Sequence, residues 1–369
     1  MPCDGAEGDA VDREFMRVAL RIAERGRGRT SPNPLVGAVI VSRAGVVVGS
    51  GHHRKAGGPH AEIFALEEAG GRARDATLYC TLEPCCHQGQ TGPCAVPIAA
   101  SGIRRLVIPL EDPDPRVAGR GIQYLRQRGV HVDVGVMRDE AAALNAPFFT
   151  SLRERRPHVT MKIAISRDGR IAAAAGRRTS VTGPSALLRV QRLRAEVDAV
   201  AIGSETALVD DPLLTVREVY RSRPFVRVVF DTRLRTSPTA RLLSTLGSGP
   251  VWLITTRACA REETERARAL EAAGATLVCL EQRDLRLALG ELYARGIQSL
   301  LIEGGASLHR ACWEAGIVDR VEIHQSTQPL GPGGVAWMMP ADFDVERLSG
   351  VRRTTVGEDL VIEGTVRRP

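Results

Sequence analysis

His60-Ala61-Glu62, followed downstream by Thr81-Leu82-Glu83-Pro84-Cys85-Cys86-His87-Gln88-Gly89-Gln90-Thr91-Gly92-Pro93-Cys94, decides how the first part of this chain is read. One imidazole and two thiolates, from His60, Cys85 and Cys94, form a donor set that suits Zn2+ and leaves a fourth coordination position for water. Water held there ionises at a pH of about 7 instead of near its bulk value, so a nucleophile exists under neutral conditions. Glu62, two residues beyond His60, falls beside such a metal without ligating it, where one carboxylate serves first as base and then as acid. Pro59 suits the start of a helix, and Cys85 and Cys94 enter the next one, whose positive end favours thiolate. A closed structural zinc site completed by Cys86 or His87 is the bland alternative. It gives no reason for Glu62, nor for Pro84 before Cys85. Cys80 reads as a buried strand cysteine.

A glutamate at this offset from such ligands is the pattern of enzymes that hydrolyse an exocyclic amine from a nucleobase-like ring, so residues 1 to about 145 read as a zinc-dependent deaminase. Around the motif the chain alternates helix and strand. Asp12 to Arg25 is amphipathic, with Phe15, Val18, Ala19 and Ile22 on one face, and ends at Gly26 and Gly28. The loop Thr30 to Pro34 leads into a hairpin of 35–41 and 46–48. Helices at 61–69, 95–100 and 121–128 alternate with strands at 77–81, 105–109 and 130–134, which implies a sheet covered by helices. The first domain is placed at 1–146 and the second at 147–369. Residues 147–158, with Arg153, Arg155 and Arg156 between two prolines, read as the connector. Further strands are expected at 159–165, 199–202, 226–230, 251–255, 300–302 and 321–323.

The length of 369 residues agrees with two domains, since one core rarely organises so long a chain. The formal charge of +7 serves either nucleic acid or small anionic substrates. Arginines interleave with acids, as in Arg261-Glu262-Glu263-Thr264-Glu265-Arg266, which is a solvated helix face. There is no long basic stripe, and seven Phe, four Tyr and three Trp are spread too thinly for a base-stacking platform, so no nucleic-acid partner is expected. The N-terminal MPCDGAEGDA has neither the basic nor the apolar region of a leader, and no run of about 18 apolar residues occurs, so no membrane partner and a cytoplasmic location are expected. Of eight cysteines, Cys3, Cys259, Cys279 and Cys312 are scattered, while Cys80, Cys85, Cys86 and Cys94 cluster. In a reducing compartment a cluster reads as metal binding.

The spacing from Cys85 to Cys94 is longer than the C-x-x-C of nucleic-acid and cytidine deaminases, and the whole string resembles the bifunctional riboflavin-biosynthesis deaminase/reductase family. The resemblance continues through Pro32-Asn33-Pro34, Gly57-Gly58-Pro59-His60-Ala61-Glu62, Asp112-Pro113-Asp114-Pro115, Lys162-Ile163-Ala164, Asp168-Gly169-Arg170, Thr206 to Arg217 and Glu303-Gly304-Gly305. It implies an α/β chain with an N-terminal cytidine-deaminase-like three-layer domain and a C-terminal dihydrofolate-reductase-like domain. The first would remove the 2-amino group of 2,5-diamino-6-(5-phosphoribosylamino)pyrimidin-4-one, and the second would reduce the ribosyl group to ribityl with NADPH. Carried over residue by residue, it implies His60, Cys85 and Cys94 as zinc ligands, Glu62 as proton shuttle, and Asn33 and His53 lining the substrate pocket. For NADPH it implies Ala164, Ser180, Thr206, Asp210, Thr232 and Gly305-Ala306-Ser307. For the second substrate it implies Arg194, Leu214, Arg217 and Glu303, with Lys162 and Asp168 beside them. It also implies a homo-oligomer.

By their own chemistry, residues 300–308 read as strand, glycine turn and helix start, which aims N–H groups and a helix dipole at a phosphate or is simply a tight connection. An arginine at 194 or 217 suits bidentate phosphate binding, the alternative being a solvated side chain. Two positions depart from the family. Arg178 and Ser180 stand where the family usually has Ser and Trp, which removes an aromatic wall beside the cofactor. Thr327-Gln328-Pro329-Leu330 replaces the usual Pro-Lys-Leu-Leu before Gly331. The runner-up reading is therefore a paralogue in a specialised pyrimidine-derived pathway, with the deaminase intact and the reductase altered or lost.

Overall fold

Strands β1 (Gly37–Val41), β2 (Val47–His52), β3 (Thr77–Cys80), β4 (Arg105–Ile108) and β5 (His131–Val134) form a five-stranded sheet in the order β2-β1-β3-β4-β5. β1 runs antiparallel to β2 and β3, and β3, β4 and β5 are mutually parallel. The computed structural model describes residues 4–89, 91–338, 343 and 345–366. Cys3 and Gln90 lie outside the described residues. The chain divides into two units, Met1–Glu154 and Arg155–Pro369.

In the first unit the alternation of side chains along β1, β3 and β4 sends apolar residues to both faces, and each face is covered by helices. One layer holds α1 (Asp4–Ala23) through Met16, Ala19 and Ala23. The other holds α2 (Ala61–Ala69), α3 (Ala95–Ala100) and α4 (Arg120–Arg126) through Ala61, Ala65, Ile98, Ile122 and Leu125. This is the three-layer arrangement expected. Glycines on β2 allow α2 to press against it: a Cβ at Gly51 would meet the Ala61 carbonyl oxygen at 2.3 Å, and one at Gly49 the Ala65 carbonyl oxygen at 2.2 Å. That contact fixes the start of α2, where His60 and Glu62 sit. Two more helices, α5 (Arg138–Leu144) and α6 (Ala146–Glu154), end the unit. The segment 147–158 is thus largely helical where the sequence was read as a connector, because Phe149 and Ser151 are buried.

The second unit is built on a nine-stranded sheet in the order β11-β10-β9-β8-β12-β6-β13-β16-β15. Its strands are β6 (His158–Ile165), β8 (Ala199–Gly203), β9 (Val226–Phe230), β10 (Val251–Thr256), β11 (Ala275–Leu280), β12 (Ser299–Gly304), β13 (Arg320–Gln325), β15 (Leu348–Val356) and β16 (Asp359–Val366); β7 (Arg170–Ala172) and β14 (Val335–Ala336) make a separate ribbon. The pairings from β11 to β13 are parallel, and β16 and β15 close the edge antiparallel. Helices α7 (Pro184–Glu196), α8 (Ser204–Asp210), α9 (Arg257–Glu262), α10 (Thr264–Ala272), α11 (Leu285–Ala294) and α12 (Ala306–Glu314) complete it. Apolar clusters occupy both faces, as a mainly parallel sheet requires. Among the described residues no helix is long and apolar enough to cross a membrane.

Candidate active sites

In the first unit, local structure gathers the histidine and the two cysteines. His60 is the N-cap of α2 in extended conformation, and Cys94 precedes α3 directly. Cys85 lies on the loop after β3, and the Cys94 N–H donates to its sulfur at 3.4 Å. His60 Nδ1 lies 3.5 Å from Cys85 Sγ and 3.2 Å from Cys94 Sγ, and the three atoms fall within 4.8 Å of one another. Tetrahedral zinc with ordinary bond lengths needs N-to-S and S-to-S separations of roughly 3.5–3.8 Å, so the residues present fit the ion. Cys86 and the wholly buried Cys80 lie outside this group.

The electrostatics agree with that use. Cys85 is the stronger acid of the pair. Its thiol is pushed well down by the hydrogen bond with Cys94, helped by His60, while Cys94 is pushed up by the same bond and by burial. Glu62, in the first turn of α2, is 3% exposed, and its Oε2 has no hydrogen-bond partner among the described residues. Burial raises the pKa of Glu62 from its ordinary carboxylate value, against the pull of His60. An orphaned buried carboxylate oxygen beside three metal-binding atoms is a group positioned for proton transfer.

Asn33 and His53 form one unit behind this cluster. His53 Nδ1 donates to the Pro59 carbonyl oxygen at 3.1 Å, which leaves Nε2 to accept from Asn33 Nδ2 at 3.1 Å. The His53 ring stands edge-on to that of His60, with centroids 5.3 Å apart. Burial holds His53 below the usual histidine range, so it is neutral. A residue given no role from the sequence, Glu83, is buried and accepts four backbone N–H groups, from Asp112 (3.1 Å), Gly119 (2.9 Å), Gly121 (2.9 Å) and Ile122 (3.2 Å). It caps α4 and ties the Asp112–Gly119 loop to the chain entering Cys85. Burial between Asp114 and Glu83 pushes the Asp112 carboxyl up to about 6.

The second unit carries a cavity of about 1200 Å³ at the carboxyl ends of its parallel strands, the place where open α/β sheets bind ligands. Ala164, Ser180, Thr206, Asp210, Arg217, Thr232, Glu303 and the Gly305–Ser307 turn all line it. α12 starts at this turn, and a Cβ on Gly305 would meet Thr206 Oγ1 at 3.0 Å, a contact that the bare backbone avoids. The helix start, the bare turn and the apolar lining from Phe230, Ile254 and Leu280 fit a dinucleotide with its pyrophosphate at the turn.

Two of the expected substrate residues are not on the lining. Leu214 is 3% exposed and packs in the core with φ of +49°. Arg194 donates to both oxygens of Glu303 at 2.6 Å and to the Thr215 carbonyl oxygen at 2.9 Å, so its guanidinium is spent on the protein. Asp168, read as lying beside the site, is also off the lining; it caps a turn by accepting from Ser166 Oγ, Leu330 N and Gly331 N.

Lys162, by contrast, lines the cavity from β6 although it is only 8% exposed. Burial and the nearby Arg194 lower its pKa from the ordinary lysine value, opposed by Glu303 and Glu322. The sequence contains only two lysines, Lys55 and Lys162, against a large excess of arginine. Unlike a guanidinium, an amine at this place can release its proton.

The comparisons with known proteins cover both units. Residues 9–110 match the model of the cytidine and deoxycytidylate deaminase zinc-binding region, and residues 157–362 match that of the RibD C-terminal domain. The riboflavin biosynthesis protein RibD of Aquifex aeolicus is 38% identical over 358 residues, covering 95% of this chain and 98% of that protein. Its counterpart from Escherichia coli is 39% identical over 335 residues, covering 87% and 89%. Among solved structures, Acinetobacter baumannii RibD has a TM-score of 0.84 at 33% identity, covering 98% of this chain and 100% of that one. The diaminohydroxyphosphoribosylaminopyrimidine deaminase/5-amino-6-(5-phosphoribosylamino)uracil reductase of Thermotoga maritima has a TM-score of 0.85 at 31% identity, with the same coverage.

Proposed function

Because this chain belongs to the RibD family of bifunctional riboflavin-biosynthesis deaminase/reductases, we propose that its first unit removes the 2-amino group of 2,5-diamino-6-(5-phosphoribosylamino)pyrimidin-4-one and its second reduces the ribosyl group of the product to ribityl. The observation that carries this reading is the convergence of His60, Cys85 and Cys94 beside the orphaned carboxylate oxygen of Glu62.

His60, Cys85 and Cys94 would hold Zn2+, which when bound supplies the Lewis acidity that makes water nucleophilic at neutral pH. Glu62 takes a proton from the attacking water and returns it to the departing amine. Its burial keeps that proton from leaking to solvent. His53, neutral and fixed by Asn33 and Pro59, holds the wall next to His60 and presents no competing charge.

In the second unit the Gly305–Ser307 turn, Ala164, Ser180, Thr206, Asp210 and Thr232 would hold NADPH, which when bound supplies the electron pair and hydrogen for the reduction. Arg217 lines the cavity with its guanidinium free of any carboxylate among the described residues, and it takes the substrate phosphate. Arg194 works through Glu303, keeping its carboxylate ionised and aimed, and Leu214 shapes the loop that carries Arg217. Reduction breaks the bond between C1 of the ribosyl ring and the ring oxygen, forms a C1–H bond, and puts a proton on the released oxygen. Lys162 supplies that proton. We also read the protein as a homo-oligomer, on the resemblance to its family, and light scattering on the purified protein checks it.

The test is incubation of zinc-loaded protein with the diaminopyrimidine ribotide, with and without NADPH, followed by mass spectrometry beside a Glu62→Ala control. Loss of the amine without NADPH, and gain of two hydrogens only with it, is the expected result. Deamination with no reduction would favour the specialised paralogue, for which the departures at Arg178 and Ser180 are the specific observation. Neither reaction would overturn the substrate.

A further inference from the structure

Beneath α7, one face of the second sheet carries a row of buried charges that substrate and cofactor contacts do not absorb. Strand register sets it. Glu322 of β13 lies opposite Lys162 of the parallel β6, His324 lies opposite Ala164, and Glu363 of the antiparallel β16 lies opposite Glu322. Side chains at paired positions share a face, and the alternate residues Met161, Ile163, Val321 and Ile323 belong to the apolar core of the other face.

Glu322 and His324 are both 0% exposed. Arg189 on α7 donates through Nε to Glu322 Oε1 at 2.6 Å and through Nη2 to Glu363 at 3.1 Å. Arg320 reaches Glu322 Oε2 at 3.2 Å and also Glu363. The His324 Nε2–H donates to Glu322 Oε1 at 2.9 Å, which fixes the ring in one tautomer, and its Nδ1 is buried without a hydrogen-bond partner among the described residues. Burial penalises the charge on Glu322, yet these donors hold its carboxyl down at about 2, so it is ionised at every working pH.

The groups that face Lys162 are Glu303 from β12, Glu322 and His324 from β13, Arg194 from α7 and His309 from α12. Both carboxylates in that set already have arginine partners, Glu303 with Arg194 and Glu322 with Arg189. Lys162 is therefore the surplus cation of the row. Its proton is held by the field of two shared carboxylates and is readily given up.

We propose that Glu322, fixed by Arg189 and His324, is a positioning residue of the reductase that keeps the Lys162 ammonium charged from the neighbouring strand until the ring oxygen of the substrate takes its proton. The inference rests on the reading of Lys162 as the proton donor. The sign follows from Coulomb's law: with the charge of Glu322 removed, the ammonium loses its proton at lower pH, and the alkaline limb of reductase activity moves down.

The chain's two lysines make this directly measurable. Protein labelled with 13C at the lysine ε-carbon gives two titrating signals, and Lys162→Met assigns the one from Lys162. Glu322→Gln should lower the midpoint of that signal by about one pH unit and move the alkaline limb of single-turnover NADPH oxidation by the same amount. Glu322→Asp should restore most of both, and His324→Gln should shift both in the same direction by less. Deaminase activity and the unfolding midpoint of each variant report whether the chain still folds. If Glu322→Gln does not fold, His324→Gln carries the test. A fall in turnover that is even across pH, with the Lys162 midpoint unmoved, overturns the proposal and makes Glu322 a structural support. If Lys162→Met leaves reduction intact, it is the reading of Lys162 itself that fails.

Discussion

The two candidate sites are built in opposite ways. In the first unit, four residues that carry the chemistry lie between positions 60 and 94, and two helix starts and one loop bring them together. In the second, the cavity draws on residues from Lys162 to Val335, delivered by the ends of strands that are neighbours only after the sheet has formed. A site made by helix caps is a property of a short motif. A site made by strand register is a property of the whole fold, so its residues are individually less decisive and its supporting shell is larger.

That contrast is broken most directly at Glu62. Glu62→Gln should lower deamination by about 1000-fold, within the range of general acid–base catalysis, while bound zinc and the reduction of already deaminated substrate stay unchanged. Metal analysis and the two assays run separately give the answer. A loss of zinc together with activity would mean that Glu62 belongs to the ligand set, and a residual activity within a few-fold of the unaltered chain would move the proton transfer elsewhere.

The second effect in size concerns a buried base of the distributed site. His309, on α12, accepts a hydrogen bond from Trp337 Nε1 at 3.2 Å through Nδ1, and burial pushes its pKa down to about 4. An unfolded histidine titrates near 6.5. Between those values the unfolded chain binds a proton that the folded one refuses. Stability is therefore full above about pH 6.5, falls as the pH drops through this window, and is lower by about 3 kcal/mol below pH 4. Urea unfolding at pH 7.5 and pH 4.5, compared with His309→Gln, isolates this contribution. Equal acid sensitivity of the two proteins would place it on another group.

Glu83 sharpens the comparison from the other side, because here the compact site also depends on a supporting residue. Glu83→Gln leaves an amide NH2 facing backbone N–H donors that the carboxylate now accepts. It should cost roughly 2 kcal/mol of stability and weaken deamination more than reduction. Chemical denaturation with both assays checks this. Equal losses in the two activities would mean that the effect is on folding alone.

What could be read from the sequence follows the same division. His60, Glu62, Cys85 and Cys94 were legible because residue type and spacing already encode metal chemistry, and the three layers were legible from alternating apolar periods. In the second half the turn at Gly304-Gly305 could be seen, as could six of the strands. The strand Ala275–Leu280 and the closing hairpin of β15 and β16 were not read: β15 contains Arg352, Arg353, Thr354 and Thr355 on a mostly exposed edge, where no apolar alternation marks it. Arg194 and Leu214 show the limit of carrying roles across by position. A residue type says that a side chain can bind phosphate, and only the fold shows that Glu303 and Thr215 already hold it. Glu322 and His324 had no signal at all, since two polar residues on a buried strand acquire meaning only when β6 and β13 come into register.

The smallest expected effect asks whether the distributed site has drifted. Ser180 lines the cavity at the position where the family usually carries Trp, and Arg178, also on the lining, faces Asp210 closely enough to influence its charge. Restoring the aromatic ring with Ser180→Trp adds a flat apolar wall, worth about 1 kcal/mol against a cofactor ring. The KM for NADPH should then fall roughly 3- to 10-fold, with little change in turnover and none in deamination. Tighter NADPH with unchanged chemistry would show that the reductase works with a weakened cofactor wall. No change in NADPH affinity would show that the cofactor does not pass residue 180, and the cavity's cofactor path would have to be redrawn toward Thr206 and Thr232.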